Sequence, residues 1–308
     1  MELIRGLHNL KNQTGCALTI GNFDGVHVGH QEIIKKLVST AKNLNVPSLV
    51  VSFSVTPESF FGRPKARLSS FRDKHLYLKS LGVDKHLLIR FNGEFSQISA
   101  QSFIDDVLVK KIKVKYCYVG DDFRFGKDRL GDCDMLQEHS IGHGFTVERV
   151  ASVSIDNKRV SSSAIRKLLS LGDFQTAEKL LGRPFAISGR VAHGDKQGRT
   201  IGFPTANISI RRNLSPVLGV FSVLIKINNI NYKGVCNVGK RPTLGGLKVL
   251  LEVFIFDFNQ EIYGGYVTVF FKQKCREEIK FNSLEELKNQ IKEDVKDSKQ
   301  YFKDARVD

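Results

Sequence analysis

The hydrophobic period of this chain changes once, near residue 182, and that change limits it to two unlike folded bodies in series. Ahead of it, Leu18–Gly21, Leu49–Phe53, His86–Phe91, Tyr116–Gly120 and Phe145–Val150 are short apolar runs that read as strands buried on both faces. Between them, Ile33, Ile34, Leu37, Val38, Ala41 and Leu44 keep helical spacing, as do Phe103, Ile104, Val107 and Leu108 behind a cap at Ser99. Strand and helix in repetition predict a parallel sheet covered by helices, with ligands beyond the carboxyl ends of the strands. Two helical stretches, Ser163–Leu171 and Phe174–Leu181, come next, and Gly182 with Pro184 stops the second. From there a period of two takes over in Ile187–Val191, Thr205–Ile210, Gly219–Ile227, Tyr232–Val238, Val249–Phe258 and Tyr263–Lys272. Six antiparallel strands predict a small barrel, and Leu284–Val295, behind a cap at Ser283 with Glu286 three residues on, predicts a closing helix. The expected domains are 1–182 and 183–308.

Composition excludes several classes. At 41% hydrophobic and 26% charged residues the chain is neither disordered nor fibrous, and no apolar run approaches the ~18 residues of a membrane span. The opening MELIRGLHNL lacks the pattern of a secretory signal, so a cytoplasmic location is expected. Cys16, Cys117, Cys133, Cys236 and Cys275 form no C-x-x-C pair and predict reduced thiols in cores. The net charge of +15 draws phosphate-bearing partners. A nucleic-acid-binding barrel is the rival from another class, but the chain has no tryptophan and no exposed aromatics interleaved with lysines. Lys110, Lys111, Lys113 and Lys115 alternate with Ile112 and Val114 as a solvated helix end running into a strand.

Two motifs in the first half carry chemistry. GNFDGVHVGH, Gly21 to His30, leaves the first strand and enters the first long helix. Its glycines allow a tight turn and close approach to a ligand, and the helix start aims unpaired N–H groups at an anion. His27 and His30, three apart, point the same way from a helix start and can stabilise charge building on a phosphate. Ser161-Ser162-Ser163-Ala164-Ile165-Arg166, at another helix start, offers hydroxyls and a guanidinium to a polyphosphate. Neither Gly120–Lys127 nor Gly194–Thr200 has the spacing of a P-loop. In the second half, GRVAHGDKQGRTIGFPTANI spans Gly189 to Ile208. Gly194, Gly198 and Gly202 would let a loop wrap phosphates, while Thr205 and Asn207 project to one strand face as hard oxygen donors suited to Mg²⁺.

The pairing of H-x-G-H with the late Ser-Ser-x-Ile-Arg element resembles the nucleotidyltransferase superfamily, and GDDFRFGKDRLGD, Gly120–Asp132, narrows the match to the prokaryotic FAD synthetase module. Pro204-Thr205-Ala206-Asn207 with its flanking GRTIGF resembles the flavokinase signature, and GVCNVGKRPT and LEVFIFDFNQEIYG follow in that family's order. The chain thus resembles the bifunctional riboflavin kinase and FAD synthetase family along nearly its whole length. The resemblance implies an α/β, Rossmann-like nucleotidyltransferase domain that adenylylates FMN, followed by a six-stranded antiparallel barrel with a C-terminal helix that phosphorylates riboflavin. It implies Glu252 as the kinase base, His27 and His30 as adenylylation catalysts, and Mg²⁺ on Thr205 and Asn207 with ATP as co-substrate. ATP contacts are implied at Gly21, Phe23, Asp24, Gly25, Gly29, Asp122, Ser162, Ser163, Arg166, Gly194, Gly198 and Gly202, and Arg276 is a candidate for facing a phosphate. Expected partners are riboflavin, FMN, FAD and ATP, without nucleic acid or membrane; oligomeric state is left open. Where the family shows F-x-P-H-P this chain has Phe53-Ser54-Val55-Thr56-Pro57, which leaves a member with one decayed half as the alternative.

Overall fold

The computed structural model describes residues 1–11, 14–193, 202–210, 213–243 and 246–305. It divides into two compact units, Met1–Lys65 with Phe71–Ser161, and Ala66–Ser70 with Ser162–Asp308.

The first unit is built on six strands, β1 (Glu2–Arg5), β2 (Cys16–Ile20), β3 (Ser48–Phe53), β4 (Lys85–Ile89), β5 (Val114–Gly120) and β6 (Thr146–Val150). Their order is β1-β4-β3-β2-β5-β6, and every pairing is parallel. Alternation along β2 sends Cys16, Leu18 and Ile20 into one core layer and Ala17 into the other, so the sheet is covered on both faces. The Ala17 face packs Ile34, Leu37 and Ala41 of α1 (Val28–Asn43) and Leu78 of α2 (Phe71–Ser80). The opposite face packs α3 (Phe103–Ile112), which is wound as a π-helix, and α4 (Cys133–His143). Asp132 caps α4 by accepting the Met135 N–H, and Gly144 ends it at φ +68°. The hairpin β7 (Ser154–Ile155) and β8 (Lys158–Arg159) closes the unit. Strand β1, helices α2 and α4 and the β7–β8 hairpin lie outside the elements expected from the period.

The second unit opens with α5 (Ser162–Leu171) and α6 (Phe174–Leu181), followed by β9 (Ala186–Ala192), β10 (Thr205–Ser209), β11 (Gly219–Ile227), β12 (Ile230–Thr243), β13 (Gly246–Ile255), β14 (Tyr266–Arg276) and α7 (Leu284–Asp304). The strands close a barrel in the order β10-β13-β12-β11-β14-β9. Every pairing is antiparallel. Gly189 is required where β9 meets β10: an added Cβ would stand 2.6 Å from the Ser209 carbonyl oxygen. The units part ahead of the boundary expected near residue 182, because Phe174 of α6 packs its ring against Phe221 at 5.8 Å and Phe271 at 5.9 Å.

Helix α7 begins where expected, with Ser283 accepting the Glu286 N–H at 3.1 Å and Glu286 accepting the Asn282 N–H at 2.9 Å. It runs past Val295 to Asp304, burying Phe302 against Val220, Leu224, Val235 and Phe256. Arg276, the candidate for facing a phosphate, is held in an ion pair within this unit. Its Nε and Nη2 donate to the two oxygens of Asp294, each at 2.7 Å, and Asp294 is 5% exposed. Removing one member of such a buried pair leaves an unpaired charge and costs about 3–5 kcal/mol, so this fork latches α7 to the barrel.

The five cysteines are free thiols. Burial pushes Cys16 up to about 12 and Cys236 higher than the ordinary thiol range, so neither offers a thiolate.

Candidate functional site

Chain direction makes a crevice at the end of β2. Its neighbours β3 and β5 lie on opposite sides, and the order reverses there, which is where open α/β sheets receive ligands. The turn Gly21–His27 occupies this point. Phe23 and Val26 sit at φ +45° and +40°, beside Gly25 at +79°. For a phenylalanine and a branched valine this is strained backbone, at about 1–3 kcal/mol each, and it persists because both side chains are fully packed. Gly21 leaves room for the Phe23 ring, which a Cβ would meet at 3.3 Å.

His27 is the N-cap of α1, its Nδ1 accepting the His30 N–H at 3.4 Å, so the ring proton resides on Nε2. The two rings stack at 3.6 Å between centroids, 16° from parallel, and the Phe23 ring meets His30 at 5.0 Å. The spacing expectation that both imidazoles point one way is met. Burial, then the nearby His27 and Lys74, holds His30 well below the usual imidazole range, so it works as a neutral group. Among the described residues, His30 Nδ1 and Asn22 Oδ1 are buried without a hydrogen-bond partner. Two such atoms in one turn point to a polar group that the turn receives.

Asp122 follows the end of β5, with its side chain 79% exposed and 3.3 Å from Arg159 on β8, while Asp121 accepts from Ser152. Asp24 lies in the turn, partly exposed. Ser162, Ser163 and Arg166 fall in the second unit, on the first turns of α5; Arg166 Nε donates to the Ala66 carbonyl at 2.6 Å. Where the family shows an imidazole, Thr56 caps the turn Pro57–Phe60 by accepting the Ser59 N–H at 3.3 Å.

Three features of this unit were not foreseen. Lys74 lies inside, on α2, within reach of the turn. Its position three after Phe71 and four before Leu78 puts a lysine on an apolar stripe, a signal the sequence did contain. Ser52, His86 and His75 form a polar file beside it. Phe53, Phe60, Phe61, Phe91 and Phe95 gather edge to face, with centroids 5.1–6.1 Å apart, and Phe61 is 62% exposed.

In the barrel, register does the gathering. Asn207 on β10 pairs across from Glu252 on β13, and Glu252 from Asn237 on β12, so the three share one face. Thr205, two residues before Asn207, joins that face, opposite Phe254. Val249, Leu251 and Val253 are buried while Glu252 and Phe254 are half-exposed, which puts Glu252 and its neighbours outside the packed barrel interior. A hydroxyl, amide oxygens and one carboxylate form a hard donor set that fits Mg²⁺. Gly202 precedes them at φ +88°. Gly194 and Gly198 lie outside the described residues.

Comparison with known proteins matches both halves. Residues 9–164 match the family described as FAD synthetase, and residues 181–302 the family described as riboflavin kinase. A bifunctional riboflavin kinase/FMN adenylyltransferase of Haemophilus influenzae is 48% identical, covering 98% of this chain and 99% of the relative. The Escherichia coli K12 protein of the same description is 45% identical, covering 98% of each. A crystal structure from Streptococcus pneumoniae, described as a macrolide-efflux protein, is similar with a TM-score of 0.78 at 31% identity, covering 96% of this chain and 97% of that one.

Proposed function

We infer the roles of individual residues from the premise that this chain belongs to the family of bifunctional riboflavin kinase/FMN adenylyltransferases. It transfers the γ-phosphate of ATP to riboflavin, giving FMN and ADP, and then joins FMN to the AMP portion of a second ATP, giving FAD and pyrophosphate. The efflux named for the pneumococcal protein supplies no reading of these residues; among the described residues no helix is long and apolar enough to cross a membrane. We place the enzyme in the cytoplasm, with the functional boundary near residue 182.

In the barrel, Glu252 takes the proton of the ribityl 5′-hydroxyl as that oxygen attacks the γ-phosphorus. Thr205 and Asn207 hold Mg²⁺, and the loop through Gly194, Gly198 and Gly202 covers the phosphates. When bound, the ion neutralises phosphate charge that builds in transfer. In the sheet unit, the FMN phosphate attacks the α-phosphorus in line and pyrophosphate leaves. Gly21, Phe23, Asp24, Gly25 and Gly29 shape the nucleotide turn, Asp122 contacts the nucleotide, and His27 and His30 donate ring N–H bonds to phosphate oxygens. For Ser162, Ser163 and Arg166, which fall in the second unit, the family resemblance implies a grip on the departing β and γ groups.

The observation that supports this reading is that each half matches its own family, with His27 stacked on His30 in the first and Asn207 in register with Glu252 in the second. Purified protein given riboflavin, ATP and Mg²⁺ yields FMN first and FAD later by chromatography, and EDTA stops both. Protein given FMN, ATP and Mg²⁺ yields FAD; failure there, with FMN formation intact, identifies a decayed first half.

The exposed phenylalanine cluster gives the isoalloxazine of FMN an aromatic surface. Stacking of this kind contributes about 0.5–1.5 kcal/mol, so Phe61→Ala raises the KM for FMN by about 2–12-fold and leaves riboflavin phosphorylation unchanged. An unaltered KM removes the cluster from the site.

A further inference from the structure

We infer that Lys74 is a positioning residue of the adenylylation half, whose buried ammonium ties the Asn22 carbonyl, at the head of the histidine turn, to Ser52 on β3. The inference rests on reading that turn as the adenylylation site.

Lys74 is 8% exposed. A buried ammonium is costly unless its N–H groups are used, and an aliphatic residue would complete the apolar stripe of α2. Its Nζ donates to the Asn22 carbonyl at 3.0 Å and to Ser52 Oγ at 3.2 Å. Ser52 Oγ lies 2.7 Å from His86 Nε2, and His86 Nδ1 lies 3.1 Å from His75 Nδ1. One proton arrangement serves the whole file. Lys74 donates to Ser52, the serine proton turns away from the cation onto His86 Nε2, and His86 Nδ1–H donates to His75. That arrangement requires a neutral His86. Burial, followed by the Lys74 charge, holds it down to about 3. The file is thus oriented, and it fixes Lys74 from behind.

In front of Lys74 the same ammonium holds the peptide oxygen of Asn22, next to the strained Phe23 and four residues ahead of Val26. Strained backbone persists only where its surroundings over-determine it. Asn22 also offers its buried Oδ1, which has no partner among the described residues. Lys74 therefore acts through the turn: it keeps Asn22, His27 and His30 where they meet the nucleotide.

The test uses the full-length enzyme and follows both reactions. Lys74→Met keeps the stem and removes the N–H donors. Expected are a rise in the KM for ATP and a kcat about 10²-fold lower in FMN-to-FAD conversion, the order of loss for a displacement of about 1 Å, with riboflavin phosphorylation unchanged. A lysine that merely supported folding would reduce the active fraction, leaving KM as in the wild type, and that result overturns the inference. So does an adenylylation rate and KM within twofold of wild type. Ser52→Ala gives a smaller loss of the same kind, and added to Lys74→Met it costs less than the product of the two, because both act through one contact. Should Lys74→Met yield no folded protein, Ser52→Ala alone decides, and unchanged adenylylation constants overturn the proposal. His30→Ala, run in parallel, separates the two levels: full adenylylation in that variant removes the underlying site, whereas its loss beside an unaffected Lys74→Met removes only the role of Lys74.

Discussion

His30→Ala loses FMN adenylylation by about 10²–10³-fold in kcat, the usual effect of removing one preorganised donor to a charge that forms in the transition state, and keeps riboflavin phosphorylation at the wild-type rate. His30 is the cleaner of the two histidines to remove. His27 Nδ1 caps α1, so its loss would mix a cap defect of about 0.5–2 kcal/mol into the result. The His30 ring caps nothing; it stacks on His27 and meets the edge of Phe23. Because His30 is held well below the usual imidazole range, it serves as a neutral donor at neutral pH, and its effect falls on the transition state more than on ATP binding. Single-turnover formation of FAD from FMN and ATP, beside steady-state FMN formation from riboflavin, reads both sites in one preparation. A variant that stops both reactions while remaining folded would show that the sites are not independent.

Much of this architecture was legible because burial leaves a period. Parallel strands covered on both faces read as continuous apolar runs, and β2 to β5 carried that mark, whereas β6, at one edge of the sheet, is fully covered only at Val150. Strand β1 did not, since an edge strand of four residues buries little: only Ile4 is fully covered. Helix α2 was hidden by Lys74 and His75, polar residues on the stripe that faces the sheet. The end of α7 was hidden in the same way. Asp294 and Ser298 lie buried on its inner face, where they answer Arg276 and the Gly234 carbonyl, so the apolar period fades before the helix does. Those partners are distant in sequence, which is also why Arg276 read as a candidate phosphate contact. The site was legible where adjacent residues carry it, as in the histidine turn. It was not legible where register assembles it: the place of Asn237 beside Glu252 depends on β12 meeting β13.

Glu252→Gln separates a proton acceptor from a metal ligand. The amide keeps the shape of the side chain and its place between Asn207 and Asn237, but it cannot take the proton of the ribityl hydroxyl. Expected is a kcat for FMN formation about 10²–10⁴-fold lower, the range for a lost general base, with the KM for riboflavin little changed. Adenylylation of supplied FMN continues. Removing a carboxylate from beside the triphosphate also removes a like-charge repulsion, so the KM for ATP stays level or falls. A residue that held Mg²⁺ directly would behave in the opposite sense: its loss would raise the KM for the Mg²⁺–ATP pair, and excess Mg²⁺ would restore the rate. Titrating Mg²⁺ from limiting to saturating while measuring FMN formation distinguishes the two. A rate that stays low at saturation marks Glu252 as the base and leaves ion binding to Thr205 and Asn207, whereas recovery toward wild type moves Glu252 into the ion's shell and reopens the identity of the group that accepts the proton.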